Sequence, residues 1–179
     1  MRADARRNYD RIVAAADELV ARDGADVSLE EVARRAGVGS ATLHRRFPSR
    51  LALLQAVFHG RVEELGRRAA ELAETGPPGE TLVTWLHELG AYVTTTRGLA
   101  AALLTRGETL GESADCNGMM VAAGSRLVEQ ARAVGAVRPE VTADDLLTLV
   151  SAISLAAPDA PEQAGRLLDL ALTGIGPVR

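Results

Sequence analysis

The segment from Ser28 to Pro48 leaves the chain little choice but two short helices joined by a turn. Ser28-Leu29-Glu30-Glu31 reads as a capping box, with Ser28 accepting from the Glu31 amide and the Glu31 side chain returning to the Ser28 amide. Leu29, Val32, Ala33 and Ala36 then fall on one helical face, and Gly37 supplies a left-handed residue for a tight turn under which Val38 tucks. The next helix is expected over about residues 40–47, with Leu43 and Phe47 four apart and facing inward before Pro48 interrupts the pattern. An earlier helix, about 8–23, puts Ile12, Ala16, Leu19 and Val20 on one stripe and stops at Gly24. Three helices with a glycine turn between the second and third predict a helix-turn-helix module over residues 1–50.

The same 3.6-residue period continues, and no stretch shows the β-branched, aromatic-rich alternation of a strand, so the expected class is all-α. A fourth helix starts near Arg50 and carries Leu51, Leu54, Val57, Phe58, Val62 and Leu65 up to the breaker Gly76-Pro77-Pro78-Gly79. Further helices are expected at about 80–96, 99–106, 117–134, 142–157 and 161–173, making residues 51–179 a second, all-helical domain. With 47% hydrophobic and 25% charged residues, the chain has the material for a packed core and not the composition of disorder.

In the helix of residues 40–47 the inward positions are taken, which leaves Ser40, Ala41, Thr42, His44, Arg45 and Arg46 to project outward. Small residues come first and let the helix approach base edges closely. Thr42 can hydrogen-bond a base or offer its methyl to thymine, and Arg45 has the fork that reads guanine. Arg46 and Arg50 suit phosphates, as do the amides at the helix starts near Ser28 and Arg50. The net charge of -4 is divided unevenly: residues 1–50 carry +2 and the remainder -6. All 20 basic residues are Arg, which is read as coding bias and not as function.

Catalysis finds no constellation in this sequence. His44, His59 and His87 are scattered, neither His-x-x-x-His nor Cys-x-x-Cys occurs, and no glycine-rich phosphate loop follows a strand, so no metal or other cofactor is expected. The single cysteine, Cys116, cannot form an internal disulfide, and its plainest reading is a quiet, half-buried thiol. No apolar run is long enough to span a bilayer and no signal-peptide core follows the charged N-terminus, which predicts a cytoplasmic protein without membrane contact.

The run Val27-Ser28-Leu29-Glu30-Glu31-Val32-Ala33-Arg34-Arg35-Ala36-Gly37-Val38, followed by Ala41-Thr42-Leu43-His44-Arg45-Arg46-Phe47-Pro48-Ser49-Arg50, closely resembles the signature of TetR-type transcriptional regulators. The resemblance covers the N-terminal third without gaps. It implies that Ser40, Ala41 and Thr42 face bases, that His44 touches the DNA backbone, and that Arg50 anchors a phosphate from the fourth helix. Two positions differ from the usual pattern: Gly39 stands where Ser is common, giving a helix cap with no side-chain acceptor, and His44 stands where the longer Tyr is common.

For residues 51–179 the resemblance implies a body that binds a small-molecule effector and pairs with a second copy. Trp85, Leu89 and Tyr92 share a face of the fifth helix and, with Phe58, Met119 and Met120, are the candidate pocket; such a stripe at helical spacing is equally the pattern of plain core. The segment 107–118 reads as an entrance loop or a simple connection. Leu146, Leu149, Val150 and Ile153, with Leu155 beside them, and Leu167, Leu168 and Ala171, with Leu170, give the last two helices more apolar surface than one stripe requires. That surface is a candidate homodimer interface, or else the core of its own subunit. A dimer sets two recognition helices about 34 Å apart, the spacing of a palindromic operator in double-stranded DNA. The implied function is a repressor released from its operator by an effector; an effector-independent DNA-binding or protein-interaction adaptor is the alternative.

Overall fold

The computed structural model describes residues 2–104, 114–157 and 160–175. Among these it contains eight α-helices, one short 3₁₀ turn and no strand. The helices are α1 (Arg2–Asp23), α2 (Leu29–Ala36), α3 (Ser40–Arg46), α4 (Arg50–Thr75), α5 (Pro78–Leu104), α6 (Ala114–Ala133), α7 (Ala143–Ala156) and α8 (Pro161–Ile175). The all-α expectation holds.

The chain forms two compact units. One is built on Met1–Gly60, with the end of α5 from Gly98 grouped with it, and the other on Arg61–Arg97 and the C-terminal helices. The division falls inside α4 and not after Arg50, because the first turns of α4 bring Leu53, Leu54 and Val57, all at most 1% exposed, into the N-terminal unit. That unit buries Ile12, Ala16, Leu19 and Val20 of α1 with Val32, Ala33 and Ala36 of α2 and Leu43 of α3. The second unit packs Leu65, Ala69 and Leu72 of α4, Leu82, Trp85, Leu86 and Leu89 of α5, Leu127 and Val128 of α6, and Leu146 and Val150 of α7.

Several local expectations shift. α1 begins at Arg2, six residues before the expected start, and its added turns carry the pairs Arg7–Asp4 and Arg6–Asp10. The capping box at Ser28 is half formed: Ser28 Oγ accepts from the Glu31 amide at 3.4 Å, while the Glu31 carboxylate pairs with Arg22 at 3.1 Å and Arg34 at 3.6 Å. A complete box occurs at Thr142 and Asp145, each accepting from the other's amide. The helices expected at 80–96 and 99–106 are one helix at least as far as Leu104. A lone glycine such as Gly98 costs a helix only about 1 kcal/mol, too little to break it without a proline. Thr94 and Thr95, just before Gly98, donate their hydroxyls to the carbonyls of Gly90 and Ala91 one turn back, both at 3.0 Å. α6 starts at Ala114, so only part of the expected 107–118 connection remains; residues 105–113 and the side chain of Cys116 lie outside the described residues.

Candidate nucleic-acid interface

Gly37 sets the angle between α2 and α3. Its φ of 63° is left-handed, its amide donates to Arg34 O, and the next amide, of Val38, donates to Ala33 O at 3.0 Å, closing the end of α2. A β-carbon here would also stand 2.6 Å from Arg11 Nη2. α3 then leaves from Gly39, which caps with backbone alone, its carbonyl accepting from the amides of Thr42 and Leu43.

Leu43, fully buried, and Phe47, 4% exposed, clamp α3 to the rest of the unit. The opposite face is presented outward: Ser40, Ala41, His44, Arg45 and Arg46 are exposed and Thr42 is half-buried. The structure thus brings the sequence-selected residues onto one surface, but it treats the three arginines differently. Arg45 has no ion-pair partner among the described residues. Arg46 lies with its guanidinium 4.8 Å over the ring of Tyr9, and that ring packs 5.6 Å from Phe47, so α1 holds the side chain in place by cation–π attraction. Arg50, in the first turn of α4, is half-buried and reaches Asp26 Oδ1 and Ala25 O, both at 3.5 Å.

Ser28 both accepts from the Glu31 amide and donates its hydroxyl to Glu30 Oε2 at 3.0 Å. The Glu30 carboxyl is held below the usual range, first by its own backbone amide and then by the Ser28 hydroxyl, with the charges of His44 and Arg50 adding to the effect. The start of α4 is capped by Ser49, whose Oγ accepts from the Ala52 amide at 3.1 Å. Tyr9, Asp26, Glu30 and Ser49 are therefore parts of this surface that reading the motif alone misses. Ser49 before Arg50 is a legible cap signal and Glu30 stands inside the motif itself, whereas Tyr9 and Asp26 meet it only through tertiary folding.

The proteins this chain is similar to have the same architecture. Residues 12–57 match the model of the bacterial regulatory proteins of the TetR family, and residues 77–177 match the C-terminal domain of SbtR-like transcriptional regulators. The chain belongs to the TetR family of transcriptional regulators. A crystal structure of a TetR regulator from Streptomyces coelicolor is 35% identical, with a TM-score of 0.79 over 96% of this chain and 99% of that one. A TetR regulatory protein from Mycobacterium vanbaalenii is 29% identical, with a TM-score of 0.77 over 98% and 99%. Among curated proteins, a helix-turn-helix-type regulator of Mycobacterium tuberculosis is 37% identical over 100 residues; the chain spans about half the length of the curated relatives it matches. TetR regulators are DNA-binding proteins and not enzymes.

In the C-terminal unit the candidate pocket residues separate. Trp85 and Leu89 are each 1% exposed and belong to the core. The Trp85 indole donates to Leu65 O at 3.0 Å, and its ring edge would be 3.0 Å from a β-carbon on Gly124. That edge of the ring is closely packed against α6. Tyr92 and Met120 are partly buried against the same core, Met119 is half-buried, and Phe58 belongs to the N-terminal unit. A cavity of about 130 Å³ opens instead on the other face of α5, among His87, Gly90, Ala91 and Thr94, Val150 and Ser154 of α7, and Ala164 and Leu168 of α8. His87 Nε2 is 2.8 Å from Asp169 Oδ1 beside it. Among the described residues no helix is long and apolar enough to cross a membrane, and no group of His, Cys, Asp and Glu is arranged to hold a metal.

The candidate dimer residues separate in the same way. Leu146, Val150 and Leu168, at most 3% exposed, are spent on the interior of their own subunit. Leu149, Ile153, Leu167 and Ala171 are half-buried, and the surface apolar groups of α7 and α8 are Leu155 at 59% and Leu170 at 70% exposure. Helical periodicity predicts more apolar positions than the fold leaves uncovered.

Proposed function

We propose that this regulator is a cytoplasmic repressor that occupies a palindromic operator as a homodimer, with residues 1–50 addressing DNA and residues 51–179 serving dimerisation and effector binding. The observation that supports the reading most is α3: a helix clamped by Leu43 and Phe47 whose opposite face offers Ser40, Ala41, Thr42 and an unpaired Arg45. In this reading Thr42 and Arg45 contact base edges, while Ser28, Gly39, His44, Arg46 and Arg50 meet sugar and phosphate. Exposed Leu155 and Leu170, with half-buried Leu149, Ile153, Leu167 and Ala171 on the same two helices, support α7 and α8 as the face that meets a second copy.

The effector reading draws on the opening between α5, α7 and α8 and on the half-buried Tyr92, Met119 and Met120. An effector favouring a conformation with altered α4 geometry would empty the operator by differential affinity alone. The cavity is smaller than the roughly 300 Å³ at which small-molecule pockets begin. A second reading, in which the regulator acts without an effector, draws on the size of this cavity.

Footprinting on DNA flanking its own gene, at two salt concentrations, tests the assignment. A palindromic footprint is expected, with Arg45→Ala costing about 1–3 kcal/mol and relaxing specificity at one base pair. Diffuse binding that Thr42→Ala and Arg45→Ala leave unchanged would refute α3 as the reading helix. A melting temperature raised by a small molecule would favour the effector reading over its rival.

A further inference from the structure

Two of the groups placed for the DNA backbone, Arg50 and Ser28, are already engaged by carboxylates. Arg50 is 3.5 Å from Asp26, and the Ser28 hydroxyl donates to Glu30 at 3.0 Å. Arg45, on the base-reading face, has no such partner among the described residues. Other acidic residues of this unit pair away from that edge: Glu31 with Arg22 and Arg34, Glu18 with Arg35, Asp23 with Arg22, Asp4 with Arg7 and Asp10 with Arg6. Asp26 and Glu30 therefore stand apart as anions set among the cations and donors that would otherwise meet phosphate.

We propose that Asp26, which holds Arg50, and Glu30, which holds the Ser28 hydroxyl, act as positioning residues that occupy the phosphate-facing edge in free protein and compete with the DNA backbone for those groups. A phosphate approaching Arg50 must displace Asp26 or accept its repulsion, and the same holds for Glu30 beside Ser28. Every duplex presents phosphates, so this competition weakens sequence-independent binding, while the unpaired Arg45 keeps its full interaction with a base. The charge balance agrees with this: residues 1–50 carry only +2 despite ten arginines, so the unit draws DNA weakly by field alone. The pair is exposed, with Arg50 at 40% and Asp26 at 68%, so the clamp opens readily and its effect is severalfold and not absolute.

The inference rests on Arg50 facing phosphate, and the experiment reads that premise separately. Binding of the full-length protein to a labelled random-sequence duplex is followed by fluorescence anisotropy across a salt series. Asp26→Asn is expected to tighten binding severalfold at low salt and to steepen the slope of log K against log salt by about 0.9 per subunit, the value for one added phosphate contact. Glu30→Gln should act in the same direction. Asp26→Glu, which keeps the charge, should bind as the wild type does, separating loss of the clamp from loss of fold. In an Arg50→Ala background the gain from Asp26→Asn should vanish. An unchanged gain in that background, or an equal gain from Glu129→Gln on α6, would show a mere net-charge effect and overturn the proposal. So would no gain at all from Asp26→Asn. If Arg50→Ala alone leaves affinity unchanged, the phosphate premise fails and the clamp with it.

Discussion

Replacing Gly124 with alanine sets two known effects against each other at one position in α6. Gly→Ala in a helix interior gains roughly 1 kcal/mol, because alanine loses less backbone freedom on folding. The new β-carbon, however, would lie 3.0 Å from two atoms of the Trp85 ring and 3.5 Å from Ala143 Cβ. A flexible side chain would move aside at little cost. Trp85 cannot, since it is 1% exposed and its indole N–H is fixed to Leu65 O at 3.0 Å. Forcing a methyl into a packed core costs about 1–3 kcal/mol. The balance is then a net destabilisation of about 1 kcal/mol, and the melting temperature should fall by roughly 2–4 °C for a chain of this size. Thermal unfolding followed by circular dichroism gives the sign. Because Trp85 is the only tryptophan, its emission reports the disturbance at the site itself. Trp85→Phe, with a smaller ring, should recover part of the loss in the alanine background. A melting temperature that rises by the full helix-propensity gain would refute the claim that Trp85 is rigidly seated on Gly124.

Leu43→Ala removes the buried anchor of a seven-residue helix and should cost about 2–5 kcal/mol, measured by urea denaturation, with DNA affinity falling even though no outward residue changes. Thr142→Ala should cost about 1 kcal/mol through loss of the α7 cap, read from the same titration. The Asp145 carboxyl is held below its ordinary range by the Thr142 hydroxyl and amide. Its contribution is therefore present above about pH 4 and is lost as pH falls through the lower folded value, so the penalty of Thr142→Ala should shrink in acid; a penalty independent of pH would contradict the cap. Leu170→Glu and Leu155→Glu should shift the protein toward monomer in sedimentation, with the melting curve of dilute protein little altered, and an unchanged sedimentation profile would remove α7 and α8 as the dimer face.

The helix-turn-helix was legible because its signals are local. A cap at Ser28, a left-handed turn at Gly37, the Leu43 and Phe47 spacing and the stop at Pro48 each act over one helical turn, and each is found where it was expected. Reading failed locally where one signal was given too much weight. Glu31 follows Ser28 at the right interval for a reciprocal cap, but Arg22 from α1 outbids the Ser28 amide for its carboxylate. Gly98 looked like a break, yet a single glycine is a small penalty against the cooperative length of α5.

The sequence by itself determined the class, the order of the helices and which face of α3 points away from the core, because helical periodicity and capping depend on neighbours a few residues apart. Only the tertiary structure decided which of the apolar surplus on α7 and α8 is spent internally, since Leu146 and Leu155 carry the same side chain and differ only in what lies opposite them. The same is true of charge: Arg45, Arg46 and Arg50 carry the same side chain, and it is Tyr9 and Asp26, brought in from 24 or more residues away, that seat Arg46 on a ring and tie Arg50 to a carboxylate, while Arg45 has no ion-pair partner among the described residues.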